Sequence, residues 1–272
     1  MPVMDAETST VPVGAVRISP LSETEIVDEV IGGWQRRAGG WIVTANVDIV
    51  RATTRDPRLA GLVAQADFVV ADGMPVVWTA KLSSGRAFDR VTGASLVFSL
   101  TEAAARSGRS VYLLGGEPGV PEAAAEVLSS RYPGLRIAGT DSPPFGFERS
   151  AAARAEVTAK LVEAKPDLVL VGLGFPKQEE LIAGVRADLP SAWYLGCGAG
   201  IPMAAGQFRR APELVQRMGA EWLHRLALEP RRLARRYLQD DTPFAVRLLT
   251  GALLRRAAAK VEPRPTALPV EP

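Results

Sequence analysis

Residues 167–180 read Asp167-Leu-Val-Leu-Val-Gly172-Leu-Gly174-Phe-Pro176-Lys177-Gln178-Glu179-Glu180. The apolar run Leu168 to Val171 runs into two glycines, and Pro176 then opens a segment with helical pattern. A buried strand, a tight glycine turn and a helix N-terminus in succession form one unit of a parallel α/β sheet. The turn would leave backbone N–H groups at the positive end of a helix dipole, where phosphate binds well. The dinucleotide fingerprint Gly-x-Gly-x-x-Gly is incomplete, because Lys177 stands at its third glycine. Lys177, Gln178 and Glu179 place polar side chains in the first helical turn. The stretch therefore reads as a phosphate or nucleotide site of a non-NAD type.

The same rhythm extends in both directions. Trp41–Ala45, Asp67–Ala71, Ser110–Leu114, Leu135–Gly139 and Ala192–Gly196 are further strand candidates, separated by helical stretches. Ser22-Glu23-Thr24-Glu25 has capping-box spacing and starts a helix through Trp34. Helices are expected from Asp48 to about Arg55, from Pro75, from Gly93 and from Pro121 to Arg131. The fold class is α/β, a Rossmann-like parallel sheet with helices on both faces, and ligands of such sheets bind beyond the strands' carboxyl ends. After Gly206 the strand rhythm stops. Glu213–Glu229, Pro230 to about Leu238 and Phe244–Arg256 read as a helical C-terminal appendage. The division expected is a core over 15–206 and an appendage over 207–258, with tails at 1–14 and 259–272 lacking order.

Composition excludes several classes. Among 272 residues, 47% are hydrophobic and 23% charged, which is ordinary for a globular protein. With Cys197 the single cysteine and His224 the single histidine, neither a disulfide framework nor a His/Cys zinc site can form within the chain. The first ten residues lack a basic region leading into an apolar core, so no signal peptide is read. No run of about 18 apolar residues occurs, and a cytoplasmic location is expected. The net charge of +2 hides a segregation. Gln207–Lys260 holds 12 Lys or Arg against 5 Asp or Glu, a net +7, while the remainder holds 20 against 25. A basic C-terminal surface that meets polyanions is the consequence.

Each candidate site residue has an ordinary structural reading beside the functional one. Asp72 follows a buried strand and can act as a general base or cap the helix near Pro75. Thr44 and Asn46 end the preceding strand and can bind sugar or phosphate or cap the helix at Asp48. Gly115-Gly116-Glu117-Pro118-Gly119 is a second glycine turn, and Gly196-Cys197-Gly198-Ala199-Gly200 is a third. Cys197 reads as a small buried filler and His224 as a packing or surface residue. Arg225, Arg232 and Arg235 are spaced by seven and three, along one stripe if the helix is continuous through Pro230. Arginine forks suit phosphate. Trp222, Leu226, Leu233 and Tyr237 supply an apolar companion face suited to a membrane surface or a partner chain.

Seven motifs occur in order: Thr44-Ala-Asn46, Ala71-Asp72-Gly73-Met-Pro-Val-Val, Arg90-Val-Thr-Gly93, Leu114-Gly-Gly-Glu-Pro-Gly119, Gly172-Leu-Gly-Phe-Pro-Lys-Gln-Glu179, Arg210-Ala-Pro212 and Glu221-Trp-Leu-His-Arg225. Together they resemble the bacterial WecG/TagA/CpsF glycosyltransferase family over about residues 15 to 240. The resemblance implies metal-independent, inverting transfer of a sugar, often N-acetylmannosamine, from a UDP-sugar donor to a polyprenyl-diphosphate-linked acceptor. It implies work at the inner membrane face in cell-envelope polysaccharide synthesis, with no cofactor and no nucleic-acid partner; a homo-oligomer is compatible with it. The chain agrees in lacking Asp-x-Asp, a usual metal-diphosphate ligand pair. By position the resemblance makes Asp72 the base, with Thr44, Asn46, Arg90 and Gln178 in the pocket. The glycine turns at Gly115, Gly116, Gly172 and Gly174, together with Arg225, Arg232 and Arg235, would meet the diphosphates. The chain departs from the family at Ile201-Pro202-Met203, where an aromatic-Asp-aromatic stretch is frequent. A nucleotide-binding oxidoreductase and a non-enzymatic membrane or nucleic-acid binder are the rival classes.

Overall fold

The computed structural model describes residues 10–207 and 235–261, together with Leu226. Its centre is a six-stranded sheet of β3 (Gly40–Ala45), β4 (Phe68–Ala71), β5 (Ser110–Leu114), β6 (Arg136–Asp141), β7 (Leu168–Val171) and β8 (Trp193–Gly196). The spatial order is β4-β3-β8-β7-β5-β6, and every pairing is parallel. All six strands of the sheet coincide with strand candidates from the sequence, with ends shifted by two residues at most.

Period-two alternation along each strand divides the core. Trp41, Val43, Val69, Tyr112, Leu114, Val169, Val171 and Tyr194 pack into one apolar layer. Ile42, Val70, Val111, Leu113, Leu168, Leu170, Trp193 and Leu195 pack into the other. A strand buried on both faces must be apolar at every position, which is why β7 reads Leu-Val-Leu-Val. Helices α2 (Val47–Arg55), α3 (Pro57–Val63), α4 (Met74–Ser84), α7 (Ala151–Ala164) and α8 (Lys177–Val185) cover the first layer. Helices α1 (Glu23–Arg36), α5 (Gly93–Arg106), α6 (Val120–Arg131) and α9 (Gly200–Ala204) cover the second. The capping box forms as spaced: Ser22 Oγ accepts from Glu25 N, and the Glu25 carboxylate accepts from Ser22 N at 2.8 Å. Those bonds hold the Glu25 carboxyl below its usual range.

Three parts differ from the sequence reading. Residues 11–14, expected within a tail, belong to an antiparallel hairpin of β1 (Val11–Val13) and β2 (Val16–Ile18). Its alternating valines and isoleucine are buried in the first layer. Helices α3, α7 and α9 were not foreseen. At the other end, α10 (Thr242–Val261) is longer than the segment foreseen and continues into the expected tail. It packs on α4, and Phe244, Ala245 and Ala252 are buried. A π-helical turn, Arg235–Asp241, precedes it and is tied to the core through Arg51. The Arg51 guanidinium lies 2.5 Å from Asp48, 3.3 Å from Asp240 and 3.2 Å from Asp241. Apart from Leu226, the expected helices over 213–234 lie outside the described residues.

The two ends of the sheet carry acids of different kinds. At the amino ends, Asp167 accepts from Ser110 N at 2.8 Å and pairs with Arg109 at 3.1 Å. Asp67 likewise accepts from Trp41 N at 2.8 Å and pairs with Arg186 at 3.2 Å. These carboxylates fasten strand starts. At the carboxyl ends the polar residues instead surround a cleft.

Candidate active site

Because all six strands run the same way, the residues following them converge on one edge. A cleft of about 840 Å³ opens there. Its walls include Thr44 near the end of β3 and Asn46 just after it, Asp72 after β4, Gly116 after β5, Ser142 after β6, Gly172 and Gly174 after β7, and Cys197 and Gly198 after β8. Gln178 of α8 also lines it. The structure thus unites residues as far apart as Thr44 and Gly198, 154 positions in sequence, that the sequence could only place at separate strand ends.

Local geometry decides between structural and functional readings. Asp72 N donates to Ala45 O at 3.0 Å, extending the β3–β4 ladder by one residue. The N-cap of α4 is Gly73, with φ of 103° and no side-chain cap, so Asp72 does not cap that helix. Asn46, by contrast, is a cap: its Oδ1 accepts from Ile49 N at 3.0 Å. Thr44 is buried and does not cap α2. Cys197 is also buried, its Sγ 3.4 Å from Val171 O. Burial pushes its thiol up to about 12, which leaves no thiolate for nucleophilic work near neutral pH.

The glycine turns differ from expectation in how they use their donors. Gly172 N donates to Leu114 O at 2.7 Å, and Gly115 N donates to Asp141 O at 2.8 Å. Gly174 N and Gly198 N both donate to one acceptor, Gln178 Oε1, at 3.1 and 3.2 Å. These four N–H groups are therefore engaged within the protein. Gly115 does not line the cleft but packs beneath it. A Cβ there would stand 2.7 Å from the carbonyl of Gly172, and its φ is 108°. Only glycine lets the β5 and β7 turns approach so closely.

Two further expectations are placed elsewhere. Arg90 lies in the connection between α4 and α5 and does not line the cleft. Arg235 is exposed at the start of the π-helical turn and is likewise not a lining residue. Arg225 and Arg232 lie outside the described residues. At the divergent stretch, Ile201 is buried against the second layer while Pro202 faces the cleft.

Sequence reading missed the far wall, residues 142–148. Ser142 Oγ donates to Gly116 O at 2.7 Å, and Phe147 is buried, so both ends of this loop are anchored. Between them Phe145 is 94% exposed, with Lys177 Nζ 4.7 Å from its ring centroid. Lys177 also pairs with Glu148 at 2.6 Å, and that bond holds the Glu148 carboxyl below its usual range. Glu179 was missed as well. It is wholly buried, and desolvation raises its carboxyl to about 7. The pair Pro143-Pro144 with Phe145 and Phe147 was the one available signal for the loop; a glutamate in a first helical turn gave none. Among the described residues, no group of three or more His, Cys, Asp or Glu is placed to hold a metal ion.

Comparison with known proteins gives the family. Two curated relatives are both named N-acetylglucosaminyldiphosphoundecaprenol N-acetyl-beta-D-mannosaminyltransferase. The protein from Bacillus spizizenii is 29% identical over 229 residues, covering 81% of this chain and 87% of its own length. The protein from Bacillus subtilis is 30% identical over 200 residues, covering 74% and 76%. The profile described as the Glycosyl transferase WecG/TagA/CpsF family matches residues 11–258, from the N-terminal hairpin into α10. The chain is a glycosyltransferase and belongs to the WecG/TagA/CpsF family.

Proposed function

We propose that this enzyme transfers an N-acetylmannosamine-like hexose from a UDP-sugar to a polyprenyl-diphosphate-linked sugar, inverting the anomeric centre without a metal. The observation that carries the reading is Asp72, a carboxylate at a strand's carboxyl end that lines the cleft and does not cap the helix after it. The names of the two Bacillus relatives supply the acceptor and sugar classes. Family membership removes the oxidoreductase and the non-enzymatic binder as readings.

In the proposed step the acceptor hydroxyl oxygen attacks the anomeric carbon, and Asp72 takes the hydroxyl proton. The bond from that carbon to the UDP oxygen breaks, and the electron pair leaves with UDP. Charge then grows on the diphosphate and must meet preorganised donors or cations. Four glycine-turn N–H groups are already engaged, so this duty falls on other groups. The N-terminal end of α6, reached through Gly116, is one, since its dipole favours negative charge. Lys177 in the cleft wall is another, and the family resemblance assigns Arg225 and Arg232 to the acceptor diphosphate.

A lipid-linked acceptor would bring the enzyme to a membrane surface. No helix among the described residues is long and apolar enough to cross one. On α10, Val246, Leu253 and Leu254 are exposed beside Arg247, Arg255 and Arg256, which supports peripheral contact with an anionic inner leaflet.

Transfer from UDP-sugars to a short-chain polyprenyl-diphosphate sugar, followed by chromatography, tests the reading. Asp72→Asn should lower turnover about 10²–10⁴-fold with donor affinity nearly intact, the range for losing a general base. EDTA should leave the rate unchanged. Near-normal turnover in Asp72→Asn, or EDTA inhibition reversed by manganese, would overturn the respective parts.

A further inference from the structure

Glu179, next to the cleft-lining Gln178, is a wholly buried carboxyl that the proposed chemistry leaves unused. It follows Gln178 on α8, and both side chains are buried, at 0% and 4% exposure. Its Oε1 accepts from Gln178 Nε2 at 2.9 Å, and its Oε2 is buried with no hydrogen-bond partner. Leaving a buried polar oxygen unpaired costs on the order of 1–3 kcal/mol. An apolar residue of similar size would avoid that cost and pack equally well, so packing does not account for a glutamate here.

The geometry of the amide does account for it. An amide group can be turned over, exchanging oxygen and nitrogen, and only its partners fix which is which. Gln178 Oε1 receives two backbone donors, Gly174 N and Gly198 N, from the turns after β7 and β8. Its nitrogen requires an acceptor on the opposite side, and Glu179 Oε1 is that acceptor. Space for the pair exists because residue 196 lacks a side chain. A Cβ on Gly196 would lie 2.5 Å from Gln178 Nε2 and 3.0 Å from Glu179 Oε1.

We propose that Glu179 is a positioning residue for glycosyl transfer: by fixing the Gln178 amide, it clamps the β7 and β8 turns together at the floor of the cleft. Desolvation raises the Glu179 carboxyl to about 7, so near neutral pH much of it is uncharged and accepts from Gln178 without a full buried charge. The role rests on the transfer reaction proposed above, and an arm of the test that does not depend on activity separates the two.

The test compares Glu179→Leu, Gln178→Ala, the double variant and Glu179→Gln, all as full-length protein. Glu179→Leu is expected to lower kcat about 10–100-fold, the scale of an ångström-sized misplacement of reacting groups, with a smaller change in donor KM. Because Glu179 acts through Gln178, the double variant should be no slower than Gln178→Ala alone. Glu179→Gln keeps the acceptor oxygen and should stay within about threefold of wild type. Hydrogen exchange gives the independent arm. Glu179→Leu should speed exchange at Gly174 and Gly198 while Leu168–Val171 stay protected. Should Glu179→Leu fail to fold, Gly196→Ala presses on the same amide and should speed exchange at the same two positions. Multiplying effects in the double variant, or unchanged exchange at Gly174 and Gly198, overturns the proposal. Failure of the wild type to transfer would count against the donor and acceptor reading alone.

Discussion

Replacing Glu179 by glutamine should change how stability depends on pH, in a direction set by burial. Desolvation raises this carboxyl from 4.5 to about 7, while the Gln178 hydrogen bond opposes the shift. The titratable groups coupled to it are Glu180 on the same helix, which raises it further, and the Cys197 thiol in the β8 turn. Between the two carboxyl values the folded protein binds the proton more tightly than the unfolded chain does. Stability from this group is therefore fully present below about pH 4.5 and is lost as pH rises through about 7. At 1.36 kcal/mol per unit, the contribution falls by about 2–3 kcal/mol between pH 5 and pH 8. Glutamine has the same shape and does not titrate. Urea unfolding of both proteins at pH 5, 6, 7 and 8 should show Glu179→Gln gaining on wild type by that amount across the series. Other titrating groups, such as Glu148 and Glu25, are common to both proteins and largely cancel in the difference. Parallel curves would mean that the Glu179 carboxyl is not displaced from its ordinary range, and the desolvation reasoning would fall.

Three other perturbations separate parts of the molecule. Asp167→Ala removes charged hydrogen bonds at the amino ends of the strands and should cost about 2–3 kcal/mol in urea unfolding, with turnover per folded molecule unchanged. Arg51→Met removes the cation shared by Asp48, Asp240 and Asp241 and should cost about 1.5–3 kcal/mol in urea unfolding, the scale for losing a hydrogen bond to a charged group. It should make residues 235–261 more sensitive to limited proteolysis than the core. Leu253→Glu with Leu254→Glu should reduce co-sedimentation with anionic vesicles, and raised salt should weaken the wild-type interaction in the same assay.

The sheet was legible because burial on both faces leaves a strand no freedom of composition. Leu168–Val171 and Ser110–Leu114 each run directly into a glycine turn and could be read almost to the residue. The hairpin Val11–Ile18 escaped because three-residue strands of alternating pattern carry little signal. Helix α7 has only Val157 and Leu161 fully buried, so its face is too narrow to mark it as a helix. Order along the sheet was not legible at all. Nothing in the chain announces that β8, the last strand, inserts between β3 and β7.

That insertion also explains which parts of the site could be foreseen. Residues that follow a strand, such as Asp72, Asn46 and Gly172, are visible from one segment, since the strand end alone predicts where they go. Gln178 and Glu179 are different in kind. Their surroundings are made by Gly198 and Gly196, which reach α8 only because β8 pairs with β7. A helix start rich in polar residues ordinarily faces solvent, and read locally Lys177-Gln178-Glu179 fits that pattern. Tertiary pairing brings the side-chain-free surface of Gly196 over the helix's first turn and buries two of the three residues. A carboxyl raised by burial is therefore a product of strand order, and strand order is the part of the fold that no local stretch of this sequence encodes.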